Sequence, residues 1–461
     1  MSSSRPDLLY VLSNGFAARM VLHSSLLPEL QRRGHSVAVL APNATDDHFR
    51  ALCERRGVAA IQAPEVGGLW LGQYAQSRRY LFEDFEKNAA LRSKHLWEWN
   101  GSGHPLFRLK AGLGKAVNSV LLRAPAVVKL LSETERRALR SASLRDLLRR
   151  VRPGLLVTTY PVAWLEALSV IEAQRLAIPT VGQLLSWDNI TCKGRFAAVP
   201  DHFVSWGPIM TAELKEHYGV DRVNEAGVAH FDLHTLPVEP HTLATHLRGL
   251  GLDPDRPYLF FGMSASFFAP REIDIVAWLA ERVRAGTFGP EMQLLVRPHP
   301  QNIRGSMADP GILERLQRLR GPNVALDLPE MLSDRLDFPE DDMRRLAALL
   351  HGATVTLNSG STLCIDAMIH DRPVVLTLFD ADEELSWWMS ARRLEEFPHL
   401  KKLLAYGGIR VAHSFEELGE SIQRYLQDPT SDAANRGAAL RAESGEPDGG
   451  ACARIADGLS R

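Results

Sequence analysis

Short apolar runs rich in β-branched residues alternate with amphipathic helical stretches along most of this chain. Residues 8–12 (LLYVL) are apolar throughout, and a helical pattern follows with apolar positions Met20, Val21, Leu26, Leu27 and Leu30. Arg32-Arg33-Gly34 ends it, with glycine in the left-handed position just past the last turn. A second run at 37–40 completes a βαβ unit, whose crossover is right-handed. The rhythm resumes at 155–159, 180–185 and 202–205, and again at 258–262, 293–296, 324–326, 353–357 and 373–378. Runs that are apolar on both faces mark parallel strands covered by helices on either side. The spacing predicts an α/β protein of two Rossmann-like, doubly wound domains, at 1–235 and 258–461. Pro237, Pro240, Pro254 and Pro257, with Gly249 and Gly251, make 236–257 a linker carrying one short helix.

Between 69 and 150 the alternation breaks down into a helical insertion in which Lys and Arg outnumber Asp and Glu about two to one. Its first half gathers Trp70, Tyr74, Tyr80, Phe82, Phe85, Trp97, Trp99 and Phe107. Val117, Val120, Leu121, Val127, Val128 and Leu131 suit an apolar helical face, with Lys115, Arg123 and Lys129 interspersed. Two readings stand. A basic surface beside aromatics fits an anionic lipid headgroup or a lipid-linked acceptor. An insertion packed on the first domain with a solvated basic rim fits as well.

Composition narrows the class. The 461 residues are 45% hydrophobic and 23% charged, as in a soluble globular protein with ample core. A net charge of −2 excludes a general electrostatic nucleic-acid binder. Cys53, Cys192, Cys364 and Cys452 lie too far apart for a zinc motif or a disulfide framework. The start of the chain lacks the basic and apolar regions of a signal peptide, and no apolar run reaches the ~18 residues a membrane span needs. A cytoplasmic protein is expected, with peripheral contact at the inner face of the cell membrane as an option. No Gly-x-Gly-x-x-Gly follows the first strand, which argues against a dinucleotide-dependent dehydrogenase.

Two strand ends carry the candidate chemistry. After the run at 353–357 comes Asn358-Ser359-Gly360-Ser361-Thr362, then a helix with Leu363, Ile365, Ala367, Met368 and Ile369. A small-residue loop that opens a helix aims backbone N–H groups and a positive dipole end at one point, the usual design of a phosphate site. The same residues also cap helices for structural reasons. The run at 293–296 ends in Arg297-Pro298-His299-Pro300, with the prolines fixing the backbone. In open α/β sheets ligands bind at the carboxyl ends of strands, so Arg297 and His299 are expected to face the same phosphate.

These two segments, RPHP and NSGSTLCID, resemble the HP and SS motifs of bacterial sialyl- and polysialyltransferases, CDP-glycerol glycerophosphotransferases and capsule polysaccharide transferases. Ser361-Thr362 to Asp366 has the spacing of the glycerophosphotransferase Ser-Ser-x-x-x-Asp run. Gly227 to Asp232 is similar to their Gly-x-Pro-Arg-x-Asp segment, with Ala229 and His230 replacing Pro and Arg. Asp448-Gly449 and Arg454-Ile455 are similar to their closing helix, and LQRRGHSVAVLAP looks like the opening of many glycosyltransferase-B chains at large. The likeness covers roughly 200–461. It implies the glycosyltransferase-B (GT-B) architecture, two Rossmann-like domains facing a cleft, and a part in bacterial polysaccharide or glycolipid biosynthesis.

The expected reaction is transfer of a sugar from a nucleotide sugar to a surface-glycan or lipid-linked acceptor, with UDP favoured over CDP or CMP. No Asp-x-Asp pair stands at a convincing strand end, so a site without metal or cofactor is expected, the nucleotide sugar being a substrate. Asp188, in LSWDNIT at a strand end, is the expected general base, with His230 next and His299 on the leaving group. Asp188 also reads as an Asx turn with Asn189. Asp366, Asp380 and Glu383 are candidates for ribose and sugar hydroxyls, although 380–384 also reads as an exposed acidic loop. Asn14, Gly15, Trp187 and Asn189 are the expected acceptor wall. Three alternatives stay open: a CDP-glycerol glycerophosphotransferase, a UDP-sugar 2-epimerase, and a non-catalytic nucleotide-sugar-binding protein. The epimerases carry Ser-Gly-Gly-x-x-Glu-Glu where this chain has Leu363, Cys364, Ile365 and Asp366 after the small residues.

Overall fold

The computed structural model describes residues 5–101, 105–304, 309–333, 335 and 337–460. They form two compact units, the first Met1–His230 with Glu443–Gly445 and Gly450–Arg461, the second Phe231–Ala442 with Glu446–Gly449.

The first unit is built on β1 (Leu8–Val11), β2 (Val37–Ala41), β3 (Ala59–Gln62), β4 (Leu155–Thr158), β5 (Thr180–Gln183), β6 (His202–Ser205) and β7 (Val223–Glu225). All pair in parallel, in the order β3-β2-β1-β4-β5-β6-β7. Alternate residues serve opposite faces, as the pleat requires. Leu8 and Tyr10 pack with Met20, Leu26, Leu27 and Leu30, while Leu9 and Val11 pack with Leu144, Leu148, Leu168 and Ile171. Tyr10 donates from its buried hydroxyl to Gln183 at 2.9 Å, so the core carries one satisfied polar bridge there. Gly182 lies under the Phe203 ring, where a Cβ would come within 2.5 Å of Cε1, and only glycine fits.

The second unit holds β8 (Tyr258–Gly262), β9 (Gln293–Arg297), β10 (Val324–Leu326), β11 (Val355–Asn358), β12 (Val374–Thr377) and β13 (Arg410–Ala412). They too are parallel, in the order β10-β9-β8-β11-β12-β13. Both sheets build outward for three strands and then return to the other side of the first, which puts a topological switch point at β1/β4 and at β8/β11. The two Rossmann-like domains expected from the apolar rhythm are present.

Two boundaries differ from those expectations. The C-terminal helix Ala451–Leu459 belongs to the first unit, not to a domain running 258–461. Its Cys452, Ile455, Ala456 and Leu459 complete the core around Leu26, Leu27 and Leu30, a burial worth roughly 1.5–3 kcal/mol for a large side chain. Residues 236–257 are not a free linker either. Helix Pro240–Leu250 lies within the second unit and packs on helix Asp342–Gly352, with Leu247 buried.

The insertion comprises helices Leu69–Arg78, Ala89–Gly101, Pro105–Leu121, Pro125–Ala138 and Ala142–Val151. It is anchored by Arg78, which is buried, pairs with Glu135 and donates to the carbonyl of Phe196 at 3.1 Å. Tyr74 donates to the same carboxylate at 2.6 Å. Tyr80, Phe85 and Leu91 form a small core of their own. The side chains of Trp70 and Phe107 lie outside the described residues.

Candidate functional site

In the second unit the loop after β11 sits at the switch point, beside the end of β8. Asn358 organises it. Its buried Oδ1 accepts from the backbone N–H of both Gly360 and Ser361, each at 2.9 Å. Gly360 adopts φ +79°, and a Cβ there would meet Leu400 Cδ2 at 2.9 Å. Ser359 turns inward, donating to the Thr377 carbonyl at 3.0 Å. Within the loop 359–362, expected to cradle a phosphate, two N–H groups and one hydroxyl are engaged by the fold itself. Ser361 and Thr362 are half-buried, and Ser361 Oγ accepts from Leu363 N–H at 3.3 Å, which leaves its hydroxyl proton to donate elsewhere. They open a helix of seven residues, Leu363–Ile369.

Arg297 sits in a buried ion-pair network. Its buried guanidinium donates to Asp342 at 2.6 Å and to Asp327, which Arg345 shares. Burial opposes its charge, but the two carboxylates outweigh this and hold its pKa above the ordinary value. Arg297, expected to face a phosphate, is thus paired with two carboxylates of its own unit. His299 stands at the end of β9. It is half-buried and caps helix Pro300–Ile303, its Nδ1 accepting from Gln301 N–H at 3.1 Å. That bond fixes the neutral ring with its proton on Nε2, a donor.

Two residues that sequence reasoning missed tie these strand ends together. Asn302 is buried, donates to the Ser264 carbonyl at 2.8 Å and accepts from Ser266 N–H at 3.0 Å. Glu272, fully inside the fold, accepts from Ser264 N–H at 2.7 Å, and burial pushes its carboxyl up to about 8. The available signal was an acid in the first turn of the helix after β8.

The acidic candidates of the second unit are turned inward or paired. Asp366 is 7% exposed and stands 3.6 Å from His234 Nε2, within a buried histidine group that includes His370, 3.1 Å from His234. Burial, with His351 and Arg372, pushes His370 down to about 4. Asp380 is 3% exposed and accepts from Ala391 N–H at 2.9 Å, and exposed Glu383 pairs with Arg271. Both carboxylates, expected to meet ribose or sugar hydroxyls, are thus buried in the second unit. Among the described residues, no group of three His, Cys, Asp or Glu is placed to hold a metal ion.

In the first unit the loops after β1 and β4 are locked by Glu166. This fully buried carboxylate accepts from Ser13 Oγ at 2.6 Å, Thr158 Oγ1 at 2.7 Å and the N–H groups of Thr159 and Tyr160 at 2.6 and 2.5 Å. Burial raises its pKa while these donors oppose the rise. Asn14, expected on the acceptor wall, is the cap of helix Gly15–Leu22, its Oδ1 accepting from Ala17 N–H at 3.1 Å. Trp187 and Asn189 are buried. Asn189 accepts from Ser186 N–H and donates to Asp188, both at 3.2 Å. Asp188 is half-buried and pairs with Lys193 Nζ at 2.8 Å. Burial works against the Lys193 ammonium, but Asp188 outweighs it and holds its pKa above the usual lysine range.

Lys94 acts on the same cluster from the insertion, where burial, Arg79 and Lys193 lower its pKa to about 7. His230 is a poor base: burial, with Arg19, pushes it down to about 3. After β5 the first unit thus carries Asp188, a half-buried carboxylate held by an amide and an ammonium.

No family model matches the sequence, and no curated protein is a match to it. Solved structures match along the whole chain. A UDP-GlcNAc 2-epimerase from Neisseria meningitidis, bound to UDP-GlcNAc, is 12% identical with a TM-score of 0.55, covering 98% of this chain and 99% of that one. A glycosyltransferase from Rickettsia africae is 11% identical at 0.51, and Anabaena HepE, in complex with UDP and glucose, 14% identical at 0.50; each comparison covers 99% of both chains. At these identities the likeness carries the fold. It is that of the GT-B glycosyltransferases and the UDP-GlcNAc 2-epimerases.

Proposed function

We propose that this protein is a nucleotide-sugar-dependent glycosyltransferase that moves a sugar, from UDP in the first instance, to a glycan or lipid-linked acceptor. The observation that carries the reading is the polar edge at β8, β9 and β11, where His299, Ser361 and Thr362 present donors at the switch point of a Rossmann-like sheet. In such a transfer the acceptor oxygen bonds to the anomeric carbon and the bond from that carbon to the diphosphate breaks. A general base takes the acceptor proton, a role proposed for Asp188 of the first unit. Charge that develops on the leaving diphosphate is met by His299 Nε2–H and the two hydroxyls. Neighbours of the same fold crystallised with UDP or a UDP sugar support UDP as the donor nucleotide. The RPHP and NSGSTLCID motifs keep CDP-glycerol and CMP-linked donors as the alternative.

An epimerase is the second reading, favoured by the presence of that class among the structural neighbours. Leu363, Cys364, Ile365 and Asp366 stand against it, since they depart from the Ser-Gly-Gly-x-x-Glu-Glu run. Incubation with UDP-GlcNAc, followed by proton NMR, separates the two. An epimerase builds up the 2-epimer without acceptor. A transferase leaves the donor intact until acceptor is added, then releases UDP.

A further inference from the structure

The helical insertion wears its apolar residues outward. In helix Pro105–Leu121, Leu109 is 70% exposed, Leu113 65%, Val117 40% and Val120 67%. At helical spacing these four fall within an arc of roughly 80°. The opposite side carries Asn118, which is buried and donates to the carbonyls of Leu81 and Glu83 at 3.3 and 2.9 Å. A helix on a globular protein buries its apolar stripe and wets the polar one. Here the apolar stripe is wet and Asn118 is buried, while Arg108, Lys115 and Ser119 stay exposed.

The next helix, Pro125–Ala138, packs on it and continues the pattern with Val127 at 44%, Leu130 at 61% and Leu131 at 40% exposure. Of thirteen large apolar side chains exposed among the described residues, nine lie between Trp97 and Leu131, so the exposure is a local design and not the scatter normal for a surface. Charge says what covers it. Residues 105–132 contain Arg108, Lys110, Lys115, Arg123 and Lys129 and no Asp or Glu, in a chain of net charge −2. Lys115 reaches Glu86 at 2.8 Å, while Arg123 and Lys129 are exposed.

We infer that this helix pair docks on an anionic lipid bilayer, its apolar stripes at the acyl boundary and its cations among the headgroups. A second copy of the chain is a poor occupant, because a symmetric contact would set these cations against themselves. The inference goes beyond the transferase reading and does not depend on it, since vesicle binding is read without turnover.

The test is co-sedimentation of the full chain with vesicles of phosphatidylcholine alone and of phosphatidylcholine mixed two to one with phosphatidylglycerol. The expected result is binding to the mixed vesicles, about tenfold or more above the neutral ones and weakened by added salt. Leu113→Glu with Val120→Glu, both on exposed positions, should lose about tenfold or more of that binding with an unchanged thermal melt. Arg123→Gln with Lys129→Gln should lose most of the preference for the anionic vesicles, and decides the matter if the glutamate pair does not fold. Failure to sediment with either vesicle, or wild-type binding by both variants, overturns the inference. So does a dimer in light scattering that the glutamate pair abolishes, which would make a second copy the occupant.

Discussion

Arg297 Nη2 donates to Asp342 at 2.6 Å, in a fully desolvated pair that also engages Asp327. Removing one partner of a buried ion pair leaves uncompensated charge, at a cost of about 3–5 kcal/mol. Arg297→Met should therefore lower the denaturation midpoint strongly, while the folded variant keeps wild-type nucleotide affinity. A stable variant that loses nucleotide affinity would return Arg297 to the phosphate.

Glu272 gives a pH signature. Its carboxyl, pushed up to about 8 from an ordinary 4.5, stays protonated in the fold while the unfolded chain releases its proton. The wild type therefore loses stability from this group as pH rises from 4.5 toward 8. Glu272→Gln does not titrate, so the stability of the variant relative to wild type should climb across that window and level off above it. Urea midpoints at three pH values check this, and parallel curves would contradict it.

Asp188, held by Lys193 at 2.8 Å and Asn189 at 3.2 Å, is the proposed general base. Asp188→Asn keeps the shape but not the proton acceptance, so turnover should fall about 10²–10⁴-fold with donor affinity unchanged. Retention of more than about a tenth of wild-type turnover would make the residue structural.

Protein donors at His299, Ser361 and Thr362 are assigned the leaving-group charge. Activity should then survive excess EDTA within about threefold, where a metal-dependent site would lose far more. Complete loss, restored only by Mg²⁺ or Mn²⁺, would contradict the assignment.

The two sheets were legible because parallel strands buried on both faces leave unbroken apolar runs, as at Tyr258–Gly262 and Gln293–Arg297. The strands missed were β3, β7 and β13, edge strands of three or four residues with half-exposed patterns. The strand ends that carry polar groups were legible too. Which side chain turns inward was not: Ser359 and Ser361 read alike in the sequence, yet Thr377 claims the first and a helix start the second. Arg297 looked like a ligand because Asp342 lies 45 positions away. The return of Ile455 and Leu459 to the first core is likewise a long-range contact that no local pattern encodes.

Isothermal titration of the purified protein with UDP tests the central claim most directly. The account predicts saturable binding in the wild type. His299→Ala and Ser361→Ala should each weaken it by about 1.5–3 kcal/mol, or roughly ten- to a hundredfold and more, the worth of a hydrogen bond to a charged phosphate. No binding of UDP, CDP, CMP, GDP or dTDP, or wild-type affinity in both variants, would contradict it.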